Sequence, residues 1–293
     1  MQLWQDIATN ISQLTGKAFS VEQKSSVGGG CINSAYRISN GRQNYFVKLN
    51  SAEQLEMFIA EAEGLQEMAS ANAIKVPTAV CYGSSGGQAY LVMEALDMGG
   101  SKPGVMALFG EQLAAMHRYT KDRYGWHRDN TIGSTPQPND WHHDWLSFWR
   151  DRRLGFQLKL AAANGAGHGL INKGEQLQDN IEVFFPGYQP EASLLHGDLW
   201  SGNYSITAQG EPVIFDPAVY FGDREADIAM TELFGGFGQE FYAAYNQAWP
   251  LDEGYSVRKT FYNLYHILNH FNLFGGGYAS QAEGMLDRLL AEI

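Results

Sequence analysis

The chain has 293 residues, enough for two lobes with a substantial core. Its 20 Lys and Arg stand against 32 Asp and Glu, a formal net charge of −12, which argues against a nucleic-acid partner or an anionic membrane surface. Two cysteines, Cys31 and Cys81, exclude a disulfide framework. With no secretory signal and no apolar run of membrane-spanning length, a soluble cytoplasmic protein is expected.

Leu3, Ile7, Ile11 and Leu14 recur at helical spacing, so residues 2–15 are expected to form a short amphipathic helix. Residues 19–27 read as a strand, broken by Gly28-Gly29-Gly30-Cys31, and a second strand runs from about 32 to 38. Asn40-Gly41 is a two-residue hairpin signal leading into a third strand over 43–49. Lys48 lies in that strand between Val47 and Leu49, where it either snorkels to the surface or meets a buried partner. A helix expected over 51–69 offers the partner. Glu61 shares its apolar stripe with Phe58, Leu65 and Met68, a costly place for a carboxylate unless it is paired. Glu63 falls elsewhere by spacing and is expected in solvent. Residues 80–83 and 89–94 read as two more strands, joined by Ser84-Ser85-Gly86-Gly87. The N-terminal part is thus a five-stranded antiparallel sheet with one helix. Met93 ends it in the core, and Glu94-Ala95-Leu96 links it onward.

Beyond the link the composition turns helical. Leu108, Leu113, Ala114 and Met116 make a core helix over 105–119, with His117 near its end as a partner for the helix dipole. A loop rich in Gly, Pro, Asn and Trp fills 125–141. The helix after it carries Trp145, Phe148, Trp149 and Arg152-Arg153-Leu154, aromatics for either a core or a pocket wall. His142 and His143 are adjacent, lack metal-ligand spacing and read as surface residues. A further helix is expected over 172–184. The C-terminal region from about residue 224 is helical, with Phe261, Leu264, Tyr265, Leu268 and Phe271 on one face.

The most informative stretch is Leu194-Leu195-His196-Gly197-Asp198-Leu199-Trp200-Ser201-Gly202-Asn203. Its H-x-D-x-x-x-x-N spacing is that of a phosphotransferase catalytic loop. A phosphoryl acceptor needs a carboxylate to orient its hydroxyl and take its proton, and a short return places an amide oxygen on a metal. Thirteen residues after Asn203, Val213-Ile214-Phe215-Asp216 ends another apolar run in a carboxylate. Two hairpin strands would then bring Asp198, Asn203 and Asp216 to one edge. On this reading Asp198 is the catalytic base and Asn203 and Asp216 hold magnesium. Lys48, fixed by Glu61, meets the α- and β-phosphates of ATP beneath Gly28, Gly29 and Gly30. Met93 and the backbone of Glu94, Ala95 and Leu96 would border adenine, and His196 and Trp200 are substrate-side candidates. Asp227, in the first turn of the next helix, is placed to brace the loop. The interval between Asp216 and that helix is too short for a peptide-docking activation segment.

These residues resemble the fructosamine kinase, or ketosamine 3-kinase, family within the aminoglycoside phosphotransferase and protein-kinase-like fold. The carriers are Gly28 to Cys31, Asn130-Thr131-Ile132-Gly133, Gln137-Pro138-Asn139, Arg153-Leu154, residues 195–203 with their Leu-Trp-Ser-Gly insertion, and Phe215-Asp216-Pro217 through Asp227, extended by Phe234-Gly235-Gly236-Phe237. The resemblance implies an α+β, bilobal protein-kinase-like fold. Residues 1–94 would be the nucleotide-binding lobe and 95–293 the mainly helical catalytic and substrate lobe. It implies ATP-dependent phosphorylation of the 3-hydroxyl of a free or protein-bound ketoamine. The product can eliminate phosphate and release the amine, a deglycation.

Two alternatives stay open at this level: a kinase of another small amine or hydroxyl compound, aminoglycoside- or choline-like, and a nucleotide-binding pseudokinase. The pseudokinase predicts loss of one of Lys48, Asp198, Asn203 or Asp216, and all four are present. Cys31 beside the glycine loop is read as a small residue fitting a tight turn. Its oxidation, closing the nucleotide site or linking two chains, is the competing reading, so a monomer or a redox-sensitive dimer is expected.

Overall fold

The computed structural model describes residues 2–28 and 32–293. Gly29, Gly30 and Cys31, named above for the phosphate loop and for redox chemistry, lie outside the described residues. In chain order the first elements are α1 (Gln2–Thr15), β1 (Gln23–Val27), β2 (Ser34–Ser39), β3 (Asn44–Ser51), α2 (Leu55–Ser70), β4 (Ala79–Ser85), β5 (Gln88–Glu94) and α3 (Val105–His117). Next come β6 (Thr120–Lys121), β7 (Asn130–Ile132), β8 (Thr135–Gln137), α4 (Trp145–Phe148), α5 (Gly155–Ala163), α6 (His168–Gln178) and β9 (Ala192–Leu195). The chain ends with β10 (Tyr204–Ile206), β11 (Pro212–Ile214), β12 (Tyr220–Gly222), α7 (Arg224–Leu233), α8 (Gln239–Ala248), α9 (Tyr255–Phe274) and α10 (Tyr278–Leu290).

The chain forms two compact units, Met1–Lys102 with Ser205–Asp216, and Pro103–Tyr204 with Pro217–Ile293. The first holds the expected five-stranded antiparallel sheet, in the order β1-β2-β3-β5-β4. Its two faces follow from strand alternation. Tyr45, Val47 and Leu49 of β3 join Ile7 and Ile11 of α1 in one apolar cluster, while Phe46 packs with Phe58, Ala62 and Leu65 of α2 in another. Leu14 is exposed, and Phe19 enters the core ahead of β1, which starts at Gln23 rather than at residue 19. The β4–β5 turn is only Gly86-Gly87, because both strands continue through Ser85 and Gln88.

The division differs from a single cut after residue 94. The segment to Lys102 stays with the first unit because the β10–β11 hairpin returns to it: Gly99 N–H donates to Ile206 O at 2.8 Å and Ala208 N–H to Asp97 O at 2.8 Å. Ile214 N–H donates to Lys75 O at 3.1 Å. Such long-range pairing leaves no local trace in sequence.

The second unit is mainly helical, with a three-stranded sheet in the order β12-β9-β6 and a β7–β8 hairpin inside the stretch expected to be a loop. Trp145, Phe148 and Trp149 are fully packed and stack among Phe261 and Tyr262, so they are core and not a pocket wall. A π-helical segment, Trp149–Leu154, runs between α4 and α5. In α3 it is Phe109, not Leu108, that enters the core, and the helix expected over 172–184 is α6 followed by a 3₁₀ turn at Ile181–Phe184. His142 is half-buried and pairs backbone to backbone with Tyr124.

Candidate active site

In the first unit Lys48 projects from β3 toward α2, the face opposite Val47 and Leu49. There Nζ lies 2.5 Å from Glu61 Oε1 and 2.6 Å from Asp216 Oδ1. The Lys48 and Glu61 side chains are 8% and 10% exposed, so each charge depends on the other groups of the cluster for compensation, and burial still holds the Glu61 carboxyl above its ordinary range. Burial opposes the Lys48 charge, but Glu61 and Asp216 outweigh it and hold the ammonium above the ordinary lysine range. Asp216 follows β11 with φ +58°, a left-handed conformation that a short polar side chain tolerates, and its carboxylate is 45% exposed. Glu63 is half-buried rather than solvated. Met93 packs in the α2-side cluster. The Glu94 N–H donates to Thr78 O at 2.8 Å, so this member of the link is already engaged, and Ala95 and Leu96 follow it.

In the second unit β9 delivers the loop that carries Asp198. The expectation that this strand and the one before Asp216 form a hairpin is corrected. β9 pairs with β12 and β6, while β11 pairs with β10, so the two carboxylates follow strands of different sheets. The three-residue β12 was missed because Tyr220-Phe221-Gly222 is too short for a period to register.

The loop is held mostly through its backbone. Asp227 Oδ2 accepts from His196 N–H at 2.7 Å and Oδ1 from Gly197 N–H at 2.9 Å, the bracing expected of it. Gly197 has φ +83°, and a Cβ there would lie 2.0 Å from Ala218 O, so only glycine fits. Ala218 N–H in turn donates to His196 O. The His196 ring is wholly buried, and its Nδ1 accepts from Asp198 N–H at 3.2 Å. This contact ties the ring to the loop backbone. Asn203, at the end of a 3₁₀ turn, donates Nδ2–H to Asp198 O at 2.8 Å and to Asp198 Oδ2 at 3.2 Å. The Asp198 carboxylate is therefore half-buried and oriented by a fixed amide.

Behind Asp227 lies a network with no sequence signal at local spacing. His117 is fully buried: Nε2–H donates to Asp227 Oδ2 at 3.2 Å, and Nδ1 accepts from Tyr245 O–H at 2.7 Å. Arg224 donates to Tyr245 Oη at 3.1 Å. His117 thus lies in the last turn of α3 but turns its ring into this buried network. Burial lowers its pKa below the usual histidine range. For Asp227 burial works the other way, but the hydrogen bonds from His117 and the Gly197 N–H, with the nearby His117 and His196 rings, together outweigh it and hold the carboxyl below its ordinary value. The helix that presents Asp227 is fixed by a buried bidentate ion pair, Arg258 to Glu225 at 2.7 and 3.1 Å.

A pH dependence follows. Native His117 stays neutral while the unfolded chain takes up a proton near the ordinary value of about 6.5, so stability is lost as pH falls through that value. His266, pushed down to about 3 by burial, acts in the same direction. His117→Gln is expected to cost about 1–3 kcal/mol at pH 7.5. It should also flatten the acid limb, so that the stability gap to wild type, read from urea midpoints, narrows between pH 7.5 and 5.5.

An antiparallel sheet holding a buried lysine–glutamate pair, followed by a helical unit with an H-x-D-x-x-x-x-N loop, defines the protein-kinase-like fold that aminoglycoside phosphotransferases also have. The fructosamine kinase family model matches residues 3–292, and the chain belongs to that family. It is 50% identical over 288 residues to a protein of Synechocystis sp. named a probable ketoamine kinase, covering 98% of this chain and 97% of the relative. It is 44% identical over 278 residues to the chloroplastic protein-ribulosamine 3-kinase of Oryza sativa subsp. japonica, covering 94% of this chain and 81% of the relative. The crystal structure of a candidate fructosamine-3-kinase from Haemophilus somnus superposes with a TM-score of 0.91 at 33% identity, covering 98% of this chain and 97% of that one.

Proposed function

We propose that the chain transfers a phosphoryl group from ATP to the 3-hydroxyl of ketoamines, ribulosamines and fructosamines, and so serves deglycation. The observation that carries this reading is the loop at 196–203. Its backbone is tied to Asp227 and its Asp198 carboxylate to Asn203, on a chain that belongs to the fructosamine kinase family. The names of the cyanobacterial and rice relatives support the substrate class over an aminoglycoside- or choline-like one.

In roles, Asp198 orients the acceptor hydroxyl and takes its proton. Lys48, held charged by Glu61, binds phosphate oxygens of the nucleotide, with residues 93–96 bordering adenine. Asn203 offers an amide oxygen, since its Nδ2 is committed to Asp198, and Asp216 offers a half-exposed carboxylate. Such hard oxygen donors, without sulfur or nitrogen, suit magnesium, which keeps several waters and phosphate oxygens as further ligands. Magnesium, when bound, offsets charge on the transferred group. Among the described residues no helix is long and apolar enough to cross a membrane. A reducing, cytoplasmic location belongs to the same reading. It is supported by the cysteine count of two, too few for a disulfide framework.

The test is a substrate panel of free sugars, ribulosamines, fructosamines and aminoglycosides with ATP and magnesium, the product phosphate being located by phosphorus NMR. Turnover of ketoamines alone, with phosphate on O3, is the expected result. Aminoglycoside or free-sugar turnover without ketoamine turnover would sink it.

A further inference from the structure

Five rings of the second unit run in contact from the Asp198 loop to the junction of α9 and α10. Trp200 lies edge-on to Phe234 with ring centroids 6.3 Å apart, and Phe234 lies 5.0 Å from His270. His270 lies 5.8 Å from Phe274 and 5.1 Å from Tyr278. The two ends are open: Trp200 is 38% and Phe274 60% exposed, the only aromatics among the exposed large apolar side chains described in this unit. The rings are held in place. A Cβ on Gly202 would sit 2.3 Å from Trp200 Cζ2 and Cη2, so the indole lies directly on that bare α-carbon. His270 donates Nδ1–H to the carbonyl of His266, one turn earlier in α9.

We infer that this aromatic strip is the subsite for the substituent on the ketoamine nitrogen, an alkyl or aryl chain long enough to run from Trp200 to Phe274. The inference rests on the ketoamine reading above. In such a substrate the acceptor oxygen is on C3 and the nitrogen on C1, so a hydroxyl at Asp198 leaves the nitrogen substituent only a few bonds away. Trp200 stands two residues from Asp198 in the same loop, and the other rings follow it in successive ring-to-ring contacts. The nitrogen is a secondary amine, protonated at neutral pH, and aromatic faces attract such a cation while their apolar surface takes up the chain beyond it. The chain's net charge of −12 favours the same occupant.

The test compares two ribulosamines that share the sugar and the cationic nitrogen, those of methylamine and of 6-phenylhexylamine, whose chain is long enough to reach the far rings, on wild type, Phe274→Ser and Tyr278→Ser. In wild type the phenylhexyl compound should have the lower KM. Either substitution should raise that KM roughly five- to twentyfold, with kcat and the methylamine KM unchanged. Equal changes for both compounds, or none, overturn the inference. So does a change confined to self-association, read by light scattering, which would make the strip a contact between copies. Failure of the wild type to phosphorylate either compound defeats the ketoamine reading itself, and that outcome is seen before any variant is made.

Discussion

Asp198→Asn is expected to lower kcat by roughly a thousandfold or more while leaving nucleotide affinity nearly intact. The change is isosteric. An asparagine oxygen still accepts from Asn203 Nδ2, and the loop backbone keeps its bonds to Asp227 and His196, so the fold is spared. What is lost is a carboxylate able to take the proton of the acceptor hydroxyl. Single-turnover kinetics and calorimetric titration of nucleotide separate the two quantities. Turnover within tenfold of wild type would remove Asp198 from the role of base.

Lys48→Met should be harmful in two distinguishable ways. It removes the cation proposed to meet the nucleotide phosphates, so kcat/KM for ATP is expected to fall by at least a hundredfold. It also strands Glu61, a carboxylate 10% exposed, and is expected to cost roughly 3 kcal/mol of stability, Asp216 adding little because it reaches solvent. The double variant Lys48→Met with Glu61→Leu replaces the buried pair by apolar groups. It should recover most of the melting temperature without recovering activity. Recovery of both would reduce the pair to a structural element. The Lys48 pKa is raised, so its contribution is complete at neutral pH and is lost only as pH rises past the ordinary lysine range.

Local chemistry made much of this legible. The period of two in β3 with a lysine among Val47 and Leu49, and the period of 3.6 in α2 with a glutamate among Phe58, Leu65 and Met68, required each charge to find the other. The H-x-D-x-x-x-x-N spacing located a loop whose Asn203 returns to Asp198, because the 3₁₀ turn at Ser201–Asn203 folds the chain back within five residues. The surroundings of His196 were not legible in the same way. Its ring is buried and accepts from Asp198 N–H, and what packs over a side chain is not written in its local spacing.

What the residue order determined alone was the strands of the first sheet, the longer helices and the pairing of Lys48 with Glu61, charges that could not be buried singly. These follow from periodicity and from the cost of desolvating an ion, which act over a few residues. The partners of β9 and of β11, and the capture of residues 205–216 by the first unit, were decided only in three dimensions. So were the His117–Tyr245 support behind Asp227 and the line of rings from Trp200 to Phe274. Their members stand tens of residues apart. No local pattern records which distant surfaces meet when apolar area is withdrawn from water.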